Sequence, residues 1–506
     1  MFRDVAESIA RNTSILFVQQ IITWTSRFVM LLILPRYLGP GLFGVIFLAG
    51  SITEMFRIFA DFGARNLVVK EVSRERGETA QILVDTVTPR LFFGAMSFGG
   101  VVLLAILSSY SADVAIVLLI TASMLLWSSA IATLIACYQG HEVMQYSSAA
   151  VVVERVTVTV AFVIAILFGA GVTVLAILGV SCNFLSLLVL LQFRKKILIR
   201  LPRVNWSDAI RRVREGVPYF LHAAFSTIYY RIDVFMLSVM TPEKVVGWYG
   251  ASYRLFDYLG FLPHIYTTAA YPLLSKLWKS EADTHRRTTH KSIELMVICG
   301  IPLAVGMAAM APGIIGLIFG VPEYAGSITL YRILLLSLPI LYVDFMLATT
   351  LLASDKQKQM SLVSMGAIPV NVGLNLLLIP FFQEREGNGA TGAALATVVT
   401  ELGIMGVFLA LLPKGMLRGF RGAVVLKSIA GGAVMSFCFL VGEELGIPWP
   451  VQGILAFGLY GWILLLLRTF EPAEIDYAKQ VLVPKIMERL RRKKDLSKRK
   501  KGEEEA

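Results

Sequence analysis

Apolar residues in this chain fall into long, nearly unbroken runs rather than the alternating or one-faced patterns of soluble strands and helices. A bilayer core of ~30 Å takes about 20 apolar residues per helix, and about fourteen runs reach that length. They cover 13–34, 41–62, 86–107, 114–137, 147–168, 173–192, 216–240, 247–275, 292–319, 328–353, 360–382, 390–412, 425–445 and 451–468. The pattern predicts an all-α polytopic membrane protein of about 14 transmembrane helices, entered at the N-terminus without a cleavable signal peptide.

Composition agrees. Hydrophobic residues make up 56% of the 506 and charged residues 16%, with a mean hydropathy of +0.70. Soluble domains are nearer 25% charged. Cys137, Cys182, Cys299 and Cys438 all lie in apolar runs, without the spacing of a disulfide framework or a zinc site.

The net charge of +12 fixes an expected orientation. With the N-terminus inside, 38 of the 47 Lys and Arg fall in cytoplasmic segments. Only Arg36, Lys244 and Arg385 fall outside, and Arg27, Arg57, Arg155, Arg231, Arg254 and Arg332 lie within spans. This bias places both termini in the cytoplasm. The basic stretch 194–216 carries Trp206, Ile210 and Val213 on one side of a helix and reads as an interfacial helix on anionic lipid. The tail 484–506 reads as a surface helix followed by a solvated basic run, with no interleaved aromatics that would suit nucleic acid. His285 and His290 fall in a basic loop and read as solvated.

Internal loops reach only about 25 residues, and no GxxxxGK[ST], HExxH or GxSxG occurs. Nucleotide-driven and hydrolytic chemistry have no motif here, and a glycan polymerase or ligase would call for a larger outer loop. The expectation is a transporter and not an enzyme, with no cofactor, driven by an H+ or Na+ gradient or the membrane potential.

Ionisable groups in hydrocarbon cost on the order of 3 kcal/mol each and face a bundle interior or a wet cavity. Glu54, Arg57 and Asp61 share one helix face at i, i+3, i+7 and are expected to neutralise one another, as are Arg254 and Asp257 at i, i+3. Arg27 has no carboxylate within a turn, and Arg231 has only Asp233 at i+2, which points elsewhere. These two arginines need a partner from another helix, water or an anionic ligand. Each lies roughly 20 Å into its span. Guanidinium suits phosphate because its planar fork binds two oxygens. Asp344, Glu401 and Arg332 read as packing or span-end residues. Tyr219, Phe220, Tyr229, Tyr230, Tyr249, Tyr253 and Tyr258 surround the seventh and eighth helices and read as an interface belt, with sugar stacking as the alternative.

A weak repeat relates the two halves. Shifted by 203 residues, Gly44 meets Gly247 and Glu54 meets Asp257, while Arg27 falls one residue from Arg231. Such a repeat is parallel, about an axis along the membrane normal.

Three stretches carry a family resemblance: LPRYLGPGLFGVIFLAGSI (34–52), YYRIDVFMLSVMTPEKVVGWYGASYRLFDYLGFLPHIYTTAAYPLLSKL (229–277) and NVGLNLLLIPFFQEREGNGATGAALATVVTE (371–401). The chain resembles the oligosaccharide-lipid, polysaccharide-biosynthesis (Wzx-type) flippases, in the superfamily of multidrug and lipid II exporters. The resemblance implies two six-helix lobes in a V, 1–192 and 216–412, joined by the linker 193–215. Two further helices (413–468) and the tail 469–506 follow. It implies translocation of a polyprenyl phosphate- or pyrophosphate-linked oligosaccharide across the plasma membrane of a prokaryote by a functional monomer, alongside glycan-assembly proteins. It also implies that Arg27, Arg57, Arg231 and Arg254 bind substrate in a central cavity; Glu54, Asp61, Asp233 and Asp257, acidic groups within the spans, are read as ion-coupling or gating groups. A cation-coupled multidrug exporter of the same superfamily is the alternative, kept open by Asp61, Asp233 and Asp257.

Overall fold

A computed structural model describes residues 2–477 apart from 109 and 198–201, and residue 480. The basic tail 484–506 lies outside the described residues, as does part of the linker. Among the described residues the fold is all helical. The N-terminal half comprises α1 (Phe2–Asp61), α2 (Ala64–Arg74), α3 (Thr79–Leu107), α4 (Ala112–Ala122), α5 (Leu125–Gly140), α6 (Met144–Leu167) and α7 (Val172–Gln192). The second half comprises α8 (Trp206–Met240), α9 (Glu243–Leu259), α10 (Phe261–Ser280), α11 (Ala282–Ala309), α12 (Ala311–Ile318), α13 (Ala325–Ala353), α14 (Gln357–Glu386) and α15 (Ala390–Leu411). The chain then runs through α16 (Gly422–Glu444), α17 (Trp449–Leu466) and the short α18 (Pro472–Tyr477).

Most of the apolar runs are single helices, but their junctions differ from expectation. The first two runs form one unit, α1, bent where Gly39 adopts φ 66° and ψ 171°. A side chain is strained at that φ, and Pro40 restarts the helix where its missing N–H costs nothing. Three expected spans are broken, at Ser123–Met124, at Gly260 and at Met310. The linker helix is not separate, because α8 runs unbroken from Trp206 into the seventh span. Eleven described helical segments are long and apolar enough to cross a membrane, with bent α1 counted once and α8, α9 and α10 outside that number. α9 is only 17 residues long, and α8 and α9 carry the charges and tyrosines described below.

Bent α1 is the hub of the bundle, packing against α3, α4, α6, α8 and α9. In the other half α13 packs against α9, α10, α11 and α15, while α14 pairs with α15 and α8. Phe43, Leu48 and Ile52 of α1 and Tyr249, Leu334 and Leu338 share one buried cluster, so a single apolar core joins the halves. The pair α16–α17 sits on α11 through Met435, Phe439, Ala456 and Tyr460. Leu107, Leu377 and Ile454 are 72%, 71% and 76% exposed. Large apolar side chains that open to the outside in helices of this length and hydropathy suit contact with lipid.

His285 and His290 are buried, not solvated. Their segment is the first part of α11, which begins at Ala282. His285 packs against Trp278, and His290 Nε2 lies 2.6 Å from the Met416 carbonyl oxygen.

Candidate functional site

A cavity of about 950 Å³ opens between α1, α8, α9, α10, α13 and α15, lined among others by Trp24, Arg27, Tyr230, Asp257, Tyr258 and Glu401. Trp24 meets Phe261 edge to face at 4.6 Å on its rim. Arg27 is exposed to this space. Among the described residues it makes no ion pair, so its guanidinium keeps its donors free for a ligand.

Arg231 does not share that freedom. Its Nη2 and Nε lie 3.0 and 3.1 Å from Glu54 Oε2, an ion pair between α8 and α1. Glu54 also keeps the expected same-helix ion pair, with Arg57 Nη2 3.9 Å from its carboxylate. Asp61 pairs with Arg90 of α3, whose side chain is buried and also donates to Thr133 Oγ1 at 2.5 Å. Arg90 counts among cytoplasmic charges in the sequence because it stands near the start of an apolar run. The expected pairing of Glu54 with Arg57 is thus present but long, Asp61 pairs outside the cluster, and two closer cross-helix contacts join it. The cross-helix contacts are the shorter ones because α3 and α8 pack directly on α1.

The expected pair of Arg254 and Asp257 is likewise absent. Arg254 lies over the rings of Phe43 and Phe47, at 4.9 and 5.8 Å. A ring face attracts a cation most where water is excluded. Asp257 is left exposed to the cavity. Of the four arginines expected to line one cavity, Arg27 alone lines this one. Arg57 lines a second cavity of about 730 Å³ between α1, α2, α4, α5, α6 and α7.

Asp233 is buried and accepts hydrogen bonds from the Tyr249 hydroxyl and, at 2.9 Å, from the Val234 N–H. Glu401 accepts from the Tyr229 hydroxyl at 2.8 Å while lining the cavity. Tyr229, Tyr249 and Tyr253 are buried, so these tyrosines form no interface belt; two of them hold carboxylates. Asp344 is buried with neither oxygen hydrogen-bonded. In the sequence Glu401 and Asp344 stand in apolar runs with no charged neighbour at helical spacing, and their surroundings exist only in the folded bundle.

At the end of the bundle where the linker enters, a polar cluster ties the halves together. Arg212 donates to Glu71 Oε2 at 2.7 Å and to Asp85 Oδ2 at 3.1 Å. Asp85 Oδ1 also accepts from the Asn205 N–H at 2.7 Å and from Gln81 at 2.8 Å. Burial alone would pull the Arg212 guanidinium down, but hydrogen bonds and charge from Glu71 and Asp85 outweigh it and raise its pKa. Nearby, Phe220 of α8 stacks on Phe62 at 4.4 Å.

The sequence pattern of polysaccharide biosynthesis proteins matches residues 9–278, and that of the MatE family matches residues 218–377. No curated protein matches the chain in sequence. The fold is similar to the lipid II flippase MurJ in an inward closed conformation, with a TM-score of 0.70 at 13% identity over 91% of this chain and 99% of that one. It is also similar to an inward-facing multidrug resistance MATE family transporter of the MOP superfamily, with a TM-score of 0.60 at 13% identity over 77% of this chain and 93% of that one.

Proposed function

The chain belongs to the family of polysaccharide biosynthesis proteins, and from that premise we propose that it is a flippase for a lipid-linked oligosaccharide. The observation that carries this reading is the Arg27 guanidinium, without an ion pair among the described residues, in a cavity of about 950 Å³ between the two halves. A polyprenyl phosphate or pyrophosphate glycan has an anionic head, a polar glycan and a long apolar tail. Each unpaired polar group costs ~2–7 kcal/mol in hydrocarbon, and a wet cavity with a free cation removes that cost while the tail stays in lipid. Tyr230, Tyr258 and Trp24 offer ring faces and hydroxyl or indole donors to sugars.

Transport proceeds by alternating access, without covalent chemistry, driven by an ion gradient or the membrane potential. The termini face the cytoplasm of a prokaryote, and the basic linker is attracted to anionic lipid. Deleting the gene should leave a lipid-linked glycan accumulating on the cytoplasmic leaflet. Unchanged glycan pools would refute the reading.

A second reading, export of cationic drugs, is favoured by Asp257 and Glu401 in the same cavity. It predicts that the deletion strain becomes drug-sensitive with its glycan export intact.

A further inference from the structure

The second cavity, about 730 Å³, shares no lining residue with the first. Its wall carries Arg57, Arg65 and Arg155 beside Glu54, Asp61 and Glu154. By formal charge it is balanced, but the hydrogen bonds are not. The carboxylates are engaged: Glu54 by Arg231 at 3.0 Å, Asp61 by Arg90, and Glu154 by Asn183 Nδ2 at 3.4 Å. Asn183 is itself fixed by Trp127 Nε1 at 2.9 Å.

The guanidinia are engaged only through long ion pairs. Arg57 and Arg155 stand 3.9 and 3.8 Å from Glu54 and Glu154, beyond hydrogen-bond reach. Arg155 Nε is buried with no acceptor, and Arg65 makes no ion pair among the described residues. Since Arg231 and Arg90 approach two of the acids from outside the cavity wall, the enclosed field is net positive. A buried donor without an acceptor is costly, and a carboxylate can satisfy two guanidinium donors at once.

We propose that this cavity is a subsite for a carboxylate-bearing sugar of the transported glycan, held by Arg155 and Arg57. The inference rests on the flippase reading and names its substrate class as an acidic glycan. The carboxylate is favoured over the linkage phosphate because the phosphate is covalently tied to the tail. Its place is the first cavity, whose edge exposes Trp24, Phe28 and Phe261. Sugars farther from the tail reach the second.

The test uses the full-length protein in lipid nanodiscs and three probes: a polyprenyl pyrophosphate oligosaccharide containing glucuronic acid, its carboxyl-reduced counterpart, and sugar-free polyprenyl pyrophosphate. The wild type should bind the acidic form at least tenfold more tightly than the reduced form. Arg57→Gln with Arg155→Gln should shrink that preference below threefold while leaving binding of the sugar-free probe intact. Equal binding of the two glycans by the wild type, a measurement that needs no variant, overturns the subsite. So does loss of the sugar-free probe in the double variant, which would put phosphate in this cavity. Retained binding of the sugar-free probe, lost in Arg27→Ala, would leave the flippase reading standing when the subsite fails. Failure of all three probes to bind the wild type would refute both.

Discussion

Gly44 of α1 and Gly247 of α9 pack face to face: a Cβ added to Gly44 would lie 2.8 Å from the Gly247 nitrogen and overlap the Glu243 carbonyl oxygen. These are the two glycines that the 203-residue shift makes equivalent. The repeat therefore meets itself at the contact between the halves. A Cβ at Gly247 would in turn overlap the Pro40 carbonyl oxygen, so neither backbone tolerates a side chain. Overpacking costs about 1–3 kcal/mol. Gly247→Val should keep the protein in the membrane but reduce glycan export at least tenfold. It should also slow disulfide crosslinking between cysteines placed at 41 and 244. Normal export by Gly247→Val would show that this contact is not used in the cycle.

Arg27 presents its donors to the first cavity without a protein ion pair. Arg27→Lys keeps the charge but loses the planar fork and should retain part of the activity. Arg27→Ala should abolish export with the protein level unchanged. If Arg27→Ala together with Arg231→Ala leaves glycan export normal, the phosphate binds elsewhere.

The Arg231–Glu54 pair links α8 to α1 beside that cavity. Partners in direct contact show coupling energies of about 0.5–3 kcal/mol. Arg231→Glu and Glu54→Arg should each impair export, and the combined reversal should recover part of it. Strict additivity in the double-mutant cycle would mean that the pair is not coupled.

Asp61 neutralises the buried Arg90. Removing one partner of a buried pair costs about 3–5 kcal/mol, because the other charge is left uncompensated. Asp61→Asn should therefore lower the melting temperature in detergent far more than Arg57→Gln, which loses only a contact at 3.9 Å. Equal melting temperatures for the two variants would contradict the burial argument.

The distribution of Lys and Arg puts 244 outside and 414 inside. In intact cells an impermeant thiol reagent should label Lys244→Cys and leave Lys414→Cys unlabelled. The reverse pattern would invert the topology.

Much of this protein is determined locally, and that part is legible in its sequence. Hydrocarbon requires each crossing segment to be apolar and internally hydrogen-bonded, so the apolar runs mark helices from α3 to α17. The same cost marks Arg27, Glu54, Arg231 and Asp257 as charges that must face something polar. Spacing along one helix could not say what they face. It joined Glu54 to Arg57, a pair the bundle keeps at 3.9 Å while bringing Arg231 to 3.0 Å, and it joined Arg254 to Asp257, whereas the bundle lays Arg254 on Phe43. It counted Arg90 with the cytoplasmic charges, although Arg90 is buried against Asp61. It left Glu401 as packing, although Glu401 lines the cavity beside Tyr229. Insertion cost is a property of one helix in lipid and can be read residue by residue. A partner for a buried charge is supplied by a different helix, and the approach of α1 to α3, α8 and α9 that supplies it exists only once the bundle has closed.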